Sequence, residues 1–273
     1  MKHVKLPLLC ILLFSSFKSF AQEPKNELTL QLGLSGVARQ DLIFSPFVHK
    51  NFTPIHIGLQ FQRDAKFYHK AQLRFSQAKV KNHPIYTYYD DGQDFKTSPH
   101  YLTLVDINYN FGKNVLKEGK SKLIVGFDFH TDIQALNYVY GRFGSFGYHS
   151  TIGLGAFLNY NYKINDRHQI GSYVNLPIMY WFSRSPYLVN DDEFIENTYS
   201  HNGFKTFFSF IGDGKFVSLN RIQSLDWDIH YTYKISKRLD IGCSYLFEFI
   251  HASRDRELYS YRHSLFLNTS VKF

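Results

Sequence analysis

The ten residues YKINDRHQIG (162–171) recur almost unchanged as YKISKRLDIG (233–242). In both copies apolar and polar side chains alternate on either side of a polar interruption, at residues 165–167 and 236–238. Alternation that stops for three residues and then resumes is typical of a β-hairpin with a tight turn. The repeat therefore predicts two equivalent hairpins.

Alternation with a period of two residues runs through the rest of the chain, and no segment sustains a 3.6-residue period. This pattern predicts an all-β fold. In the first strand, Leu28, Leu30 and Leu32 share one face, whereas Thr29 and Gln31 share the other. Strands of this length suit a tilted transmembrane strand, which needs about 9–11 residues. The ten predicted strands span residues 28–36, 54–62, 67–77, 101–111, 122–132, 151–164, 169–182, 224–235, 239–250 and 259–273.

The predicted connections alternate in length. The short ones are residues 63–66, 112–121, 165–167 and 236–238, and the longer ones are residues 38–52, 78–100, 133–150 and 183–223. Short turns on one side and long loops on the other are the plan of an outer-membrane barrel, with the turns in the periplasm. We therefore expect one closed antiparallel transmembrane barrel of ten strands with both termini periplasmic. Twelve strands is the alternative, if residues 183–223 add a hairpin to the wall.

Aromatic residues make up 18% of the chain, and several stand just before predicted short turns, at residues 109–111, 160–162 and 231–233. Aromatic rings favour the half-hydrated depth of the membrane interface. These residues predict an aromatic girdle, so the repeated decapeptide has a physical rather than a catalytic origin. The alternative fold is a secreted β-sandwich or lipocalin-like barrel, whose apolar faces would point inwards.

The N-terminus has the features of a secretory signal peptide. Lys2 and Lys5 precede the apolar run 6–14, which is too short to cross a bilayer as a helix. Ser19 and Ala21 place small residues at both recognition positions for cleavage. We expect cleavage after Ala21, export to the outer membrane, and a barrel domain at residues 22–273 whose largest extracellular loop is 183–223.

Charge and cysteine content exclude several classes of function. Loss of the three signal-peptide lysines lowers the formal net charge from +8 to +5, and no basic cluster lies on a recognisable nucleic-acid module. Nucleic acid is therefore not an expected partner. Only Cys243 remains in the mature chain, and no His/Cys set has zinc spacing. We expect no disulfide, metal or cofactor.

The last predicted strand ends on an aromatic residue. Leu265, Leu267, Val271 and Phe273 form its apolar face. This ending resembles the C-terminal signal of outer-membrane barrel proteins in Gram-negative bacteria. The resemblance implies that the barrel-assembly machinery recognises this strand and that outer-membrane lipid surrounds the wall.

A ten-stranded barrel has a narrow interior. Opposite charges inside a closed wall pair with one another and obstruct it, so we expect a lumen filled by side chains. A narrow conduit for a small solute is the alternative. The ionisable residues on the predicted inner faces are Lys70, Arg74, Asp106, Asp128, His130, Asp226, Asp228, His230 and Lys272.

Two short stretches, residues 128–132 and 226–230, combine aspartate with histidine on a predicted inner face. A carboxylate beside a histidine orients the ring and raises its basicity, which prepares a water for attack on a carbonyl. The candidate catalytic residues are Asp128, His130, Asp226, Asp228 and His230.

Outer-membrane proteases of the omptin type resemble this pattern, because they are ten-stranded barrels in which Asp pairs face an Asp–His pair. Asp228 and His230, or alternatively Asp128 and His130, match the Asp-x-His element, but Asp226 shares a strand with its would-be partner. The resemblance implies a surface hydrolase that acts on peptides; a lipid-directed hydrolase is a related alternative. We favour a buried ion-pair network with no catalytic role, because buried ionisable groups need partners.

The segment 183–223 is rich in large apolar residues. Residues 206–210 and 215–219 flank Ile211-Gly212-Asp213-Gly214, which predicts a hairpin above the membrane. This segment either caps the barrel mouth or docks on another protein. We favour docking, and with it a non-enzymatic accessory, scaffold or surface-binding subunit of an outer-membrane complex. The candidate partner-binding residues are Phe194, Phe204, Phe207, Phe208 and Phe210.

Overall fold

The computed structural model describes residues 26–79, 87–96, 101–140, 143–185, 187, 189–190, 196 and 203–273. The elements used below are β1 (Asn26–Asp41), β2 (Ser45–Asp64), β3 (Tyr68–Lys79), β4 (Thr87–Asp90), β5 (Gln93–Lys96), β6 (Tyr101–Glu118), β7 (Ser121–Tyr140), β8 (Phe143–Lys163), β9 (His168–Arg184), β10 (Val189–Asn190), α1 (Gly203–Gly212), β11 (Lys215–Ser218), β12 (Ile222–Lys234), β13 (Leu239–Ala252) and β14 (Leu258–Lys272).

Among these described strands, β1, β2, β3, β6, β7, β8, β9, β12, β13 and β14 form the wall. Each wall strand pairs antiparallel with the next, and β14 pairs back onto β1 from Lys272–Glu27 to Leu258–Asp41. This confirms the predicted closed barrel of ten strands. β10 and β11 pair with the ends of β8 and β9 and add no full strand to the ring, so the twelve-strand alternative is not adopted.

The two faces of the wall have opposite polarity. On β1, the exposed residues Leu28, Leu30 and Leu32 alternate with the buried polar residues Thr29 and Gln31. Polar side chains therefore face inwards and apolar side chains face outwards, the reverse of a soluble barrel.

The apolar outer band has the height of a bilayer. On the outer face of β2 it extends from Phe52 to Phe61, between Lys50 and Arg63. These ten positions rise about 30 Å along the strand. Tilt reduces that height to about 25 Å, which matches the apolar band of outer-membrane barrels.

The repeated decapeptides form equivalent hairpins, as predicted. In the first turn, Asn165 Oδ1 accepts hydrogen bonds from the backbone N–H groups of Arg167 and His168, both at 2.9 Å. In the second turn, Ser236 Oγ accepts from Arg238 N at 3.2 Å and Leu239 N at 3.0 Å. We call this end of the barrel the turn end. The main chains of Asn26 and Phe273 are hydrogen-bonded to each other there.

The opposite end, which we call the loop end, departs from the predicted boundaries. The expected loop 38–52 is largely strand, because β1 and β2 stay paired as far as Asp41 and Ser45, and residues 42–44 form the turn. The segment 133–150 likewise continues its hairpin, and at the turn end the segment 112–121 does the same. Beyond the lipid band both faces meet water, so the alternation that marks a strand fades although the backbone ladder continues.

The predicted hairpin over residues 206–219 is wrong. Its first arm is the helix α1, and β11 pairs with β9 instead. Phe204, Phe207, Phe208 and Ile211 have the spacing of one helical face, which was the overlooked signal. The glycines that follow end the helix, where Gly214 N donates to Ile211 O at 3.1 Å.

The remaining described elements are small. β4 and β5 form a separate hairpin whose turn residues Asp91 and Gly92 have φ values of 46° and 80°. Positive φ at both positions is what a two-residue hairpin turn requires. Within the described ranges, no helix is both long enough and apolar enough to cross a bilayer.

Candidate functional site

Four charged side chains from four strands meet inside the barrel, and we call them the charged layer. Arg262 Nη2 lies 2.6 Å from Asp106 Oδ2, and Arg262 also pairs with Glu248. Arg74 Nη2 lies 3.1 Å from Glu248 Oε1. β3 and β13, like β6 and β14, are not neighbours in the wall, so these pairs cross the lumen. None of the four residues is more than 6% exposed, so the layer obstructs the interior.

Two of the candidate catalytic residues, Asp226 and His130, lie beside this network. Asp226 Oδ2 lies 3.9 Å from Arg74 Nη2 and 3.6 Å from His130 Nδ1. Asp128 instead accepts a hydrogen bond from Asn110 Nδ2 at 2.5 Å. His130 therefore lies beside an aspartate from across the barrel.

The lumen is filled again between the charged layer and the loop end. Arg39 Nη2 lies 2.6 Å from Asp41 Oδ2, and Arg39 also donates to Gln134. Arg184 pairs with the same aspartate, and His149 Nδ1 lies 3.5 Å from a carboxylate oxygen on β7. Two apolar clusters complete this packing. Their buried members are Val37, Phe44, Leu102, Leu104 and Leu136 in one, and Tyr180, Phe182, Ile222, Ile250, Ala252 and Leu258 in the other.

The remaining Asp–His pair lies nearer the turn end. Asp228 Oδ1 is 2.8 Å from His230 Nδ1, and His230 Nε2 is 3.2 Å from Asn161 Oδ1. The predicted Asp-x-His element thus forms a real contact and lines an open cavity. The second ring nitrogen of His230 faces the amide oxygen of Asn161, whereas the omptin-type arrangement would place a pair of aspartates opposite the histidine. Both nitrogens are engaged by this chain, which leaves neither to activate a water in this conformation.

Helix α1 packs on the outside of the barrel at the loop end. Phe210 stacks on Tyr148 at a ring-centroid distance of 4.2 Å, and Trp181 Nε1 donates to Ile211 O at 2.8 Å. Successive side chains of a strand point to opposite faces. His149 faces the lumen, so the preceding residue, Tyr148, points outwards. The helix is therefore held against the outer wall beside the barrel mouth.

The candidate partner-binding phenylalanines differ in position. Phe208 on α1 is 65% exposed, and Phe216 on the adjacent β11 is 81% exposed. Phe204 and Phe207 lie on the same helix, and Phe194 lies outside the described residues. Phe216 was not among the predicted partner-binding residues, although its position beside Gly214 placed it in the same aromatic segment.

The last strand presents its apolar face to the outside. Leu265, Leu267 and Phe273 are exposed, and Val271 pairs with Leu28 of β1. This strand closes the ring, a position that suits the predicted recognition of its apolar face by the barrel-assembly machinery. Within the described ranges, no group of three or more His, Cys, Asp or Glu side chains is arranged to hold a metal ion.

Comparison with known proteins identifies the fold. No protein-family model and no curated protein matches this chain. The outer-membrane protease OmpT from Escherichia coli aligns with a TM-score of 0.53 at 6% identity, over 94% of this chain and 99% of its own. The Pseudomonas putida toluene transporter TodX also matches, with a TM-score of 0.35 at 11% identity, over 93% of this chain and 91% of its own. Neisserial surface protein A matches with a TM-score of 0.33 at 10% identity, over 90% of this chain and 97% of its own. The likeness at such identities shows the fold alone: this chain has the fold of an outer-membrane β-barrel.

Proposed function

We propose that this protein is a sealed, non-enzymatic barrel that serves as a scaffold or surface-binding subunit of an outer-membrane complex. The observation that carries the proposal is the pairing of an obstructed lumen with an aromatic helix fixed on the outer wall. A wall that neither conducts nor exposes a free catalytic base still supplies a rigid platform in the membrane.

The charged layer argues against the solute conduit. Its ion pairs are buried and join opposite sides of the lumen, and separating them would leave uncompensated charges in a low-dielectric interior. We expect the purified barrel to give no conductance above background in a planar bilayer. Discrete open-channel currents would contradict the sealed-barrel proposal.

The loop-end aromatics support the binding role. Phe208 and Phe216 expose most of their surface to solvent, beside a helix that Tyr148 and Trp181 hold in place. Rigid aromatic side chains contribute much of the binding energy at protein interfaces, because they bury large area at little entropic cost. A fixed aromatic surface of this kind favours a protein partner in the outer membrane or at the cell surface.

A photoreactive phenylalanine analogue at position 208 tests this role in living cells. We expect irradiation to yield a crosslinked product of one discrete, higher mass. The matched control is the same analogue at Tyr89, which is 72% exposed on the β4–β5 hairpin. Equal or absent crosslinking at both positions would overturn the proposed docking surface.

A hydrolase is the second candidate, and the contact between Asp228 and His230 in the turn-end cavity favours it. If this pair hydrolyses a peptide or a lipid, His230→Ala abolishes that cleavage. We expect His230→Ala and His130→Ala to leave any cleavage measured for the purified barrel unchanged. Loss of activity in either variant would favour the hydrolase over the scaffold.

A further inference from the structure

The lumen is open at the turn end, below the charged layer. The cavity there has a volume of about 1560 Å³ and is lined by the inner faces of most wall strands. Typical sites for small ligands occupy about 300–1,000 Å³. The cavity therefore has room for a small molecule together with its water.

Positive charge dominates this cavity. Basic side chains on its lining outnumber acidic ones two to one.

The repeated decapeptide places two of the lysines that line this cavity in equivalent positions. Lys163 and Lys234 are each the second residue of a repeat and the last residue of a wall strand, and Lys272 ends β14 in the same way. The backbone N–H of each donates to a carbonyl of a neighbouring turn, at 2.8, 2.9 and 2.8 Å respectively. The three lysines are therefore set at one level around the cavity mouth.

Carboxylates compensate only part of this charge. Lys272 pairs with Asp240, but none of the ion pairs among the described residues involves Lys163 or Lys234. Lys272 and Lys163 lie close enough to Lys234 for their like charges to act on it, alongside the opposite charges of Asp240 and Asp166. Like charges held close together destabilise one another unless an anion joins them.

A further lysine lies deeper in the cavity. Lys70 is only 8% exposed, and its Nζ sits 4.0 Å from the ring centroid of Tyr173. No ion pair among the described residues engages it; the nearby Asp228 is already bonded to His230. A buried ammonium whose described contact is an aromatic face retains donors for a ligand.

We propose that the turn-end cavity binds a multivalent phosphate-bearing anion, with Lys163, Lys234 and Lys272 at its mouth and Lys70 inside. Ammonium groups bind phosphate as point charges, and several of them converging on one space match an anion that carries more than one charge. The site is at the opposite end of the barrel from helix α1. It stands independently of the docking surface proposed there.

Calorimetric titration with inorganic pyrophosphate at fixed ionic strength tests the site. We expect saturable binding to the purified barrel, weakened about tenfold or more in Lys163→Gln/Lys234→Gln because two favourable charge interactions are lost. The matched control is Lys66→Gln/Lys113→Gln, which removes the same charge from exposed positions that do not line the cavity. Its affinity should equal that of the wild type. Absence of saturable binding, or equal affinity in both variants, would overturn the proposal.

Phosphorus analysis of the extracted barrel identifies the source of the anion. A phospholipid headgroup leaves stoichiometric phosphorus in a chloroform extract, whereas a free solute is displaced into the dialysate by pyrophosphate. Either result supports the site, provided that the phosphorus is lost in Lys163→Gln/Lys234→Gln. Retention of the phosphorus by that variant would assign it to lipid on the outer wall and contradict the proposal.

Discussion

Arg262 makes the closest contacts of the charged layer, because it pairs with both Asp106 and Glu248. Arg262→Gln leaves two buried carboxylates that share only Arg74. We expect the free energy of unfolding to fall by about 3–5 kcal/mol, the usual cost of breaking a buried ion pair by removing one partner. Urea unfolding of the refolded barrel, followed by tryptophan fluorescence, measures this loss.

Two controls separate the charge effect from a general loss of side-chain packing. Arg63→Gln removes an exposed arginine and should change stability by less than about 0.5 kcal/mol. Adding Glu248→Gln to Arg262→Gln should recover part of the loss, because the uncompensated carboxylate disappears. Additive destabilisation in the double variant would contradict the ion-pair explanation.

Alternation along single strands was enough to place Arg74, Asp106 and Asp226 inside the barrel. It did not predict their partners, because pairs such as His130 with Asp226 join strands that are distant in sequence. Those contacts depend on the register of every intervening strand. The sequence analysis did not include Glu248 and Arg262 among the inward-facing residues. Each lies between outward-facing aromatic residues, so the same alternation predicted that both point inwards.

At the scale of elements, Phe210 anchors helix α1 to the wall. Phe210→Ala removes the stacking on Tyr148, so the helix should separate from β8 and β9 more often. We expect amide hydrogen exchange across residues 203–212 to become about tenfold faster. Phe208→Ala, on the same helix but mostly exposed, should accelerate exchange clearly less. Equal acceleration in both variants would argue against the docked helix.

Strand β14 tests the orientation of the wall. Leu267 is 71% exposed and pairs with Leu32 near the middle of the apolar band. Leu267→Arg should lower the free energy of unfolding in lipid by about 2–4 kcal/mol, the cost of an arginine at the bilayer midplane. Asn268→Arg, one residue along and facing the cavity, should cost clearly less. If Asn268→Arg were the more damaging change, the assignment of the two faces would be wrong.

The elements that sequence reasoning predicted well are those in contact with lipid on one face. Leu28 to Leu34 and Ile55 to Phe61 show clean alternation because lipid and lumen impose opposite polarity on the two faces. Helix α1 lies outside that constraint, and its tertiary support from Tyr148 and Trp181 comes from strands earlier in the chain. A short aromatic segment carries too little local information to separate a helix from a hairpin.

At the scale of the whole molecule, independent signals agreed on the architecture, and the closed ring of ten strands confirms it. The signal peptide and the periplasmic position of the termini remain predictions. The distribution of space inside the barrel could not be predicted from sequence. It arises because the charged layer and the apolar clusters fill the loop half, while long inward-facing lysines at the strand ends leave the turn half open.

The central claim, that the barrel works by binding a protein partner at its loop end, is tested most directly by extraction from the native membrane in a mild detergent. The wild-type barrel and Phe208→Ala should be recovered in equal yield. We predict that a partner leaves with the wild type at stoichiometric yield and is lost from the variant. A barrel that emerges alone in both preparations, or a partner retained equally by the variant, would contradict the claim.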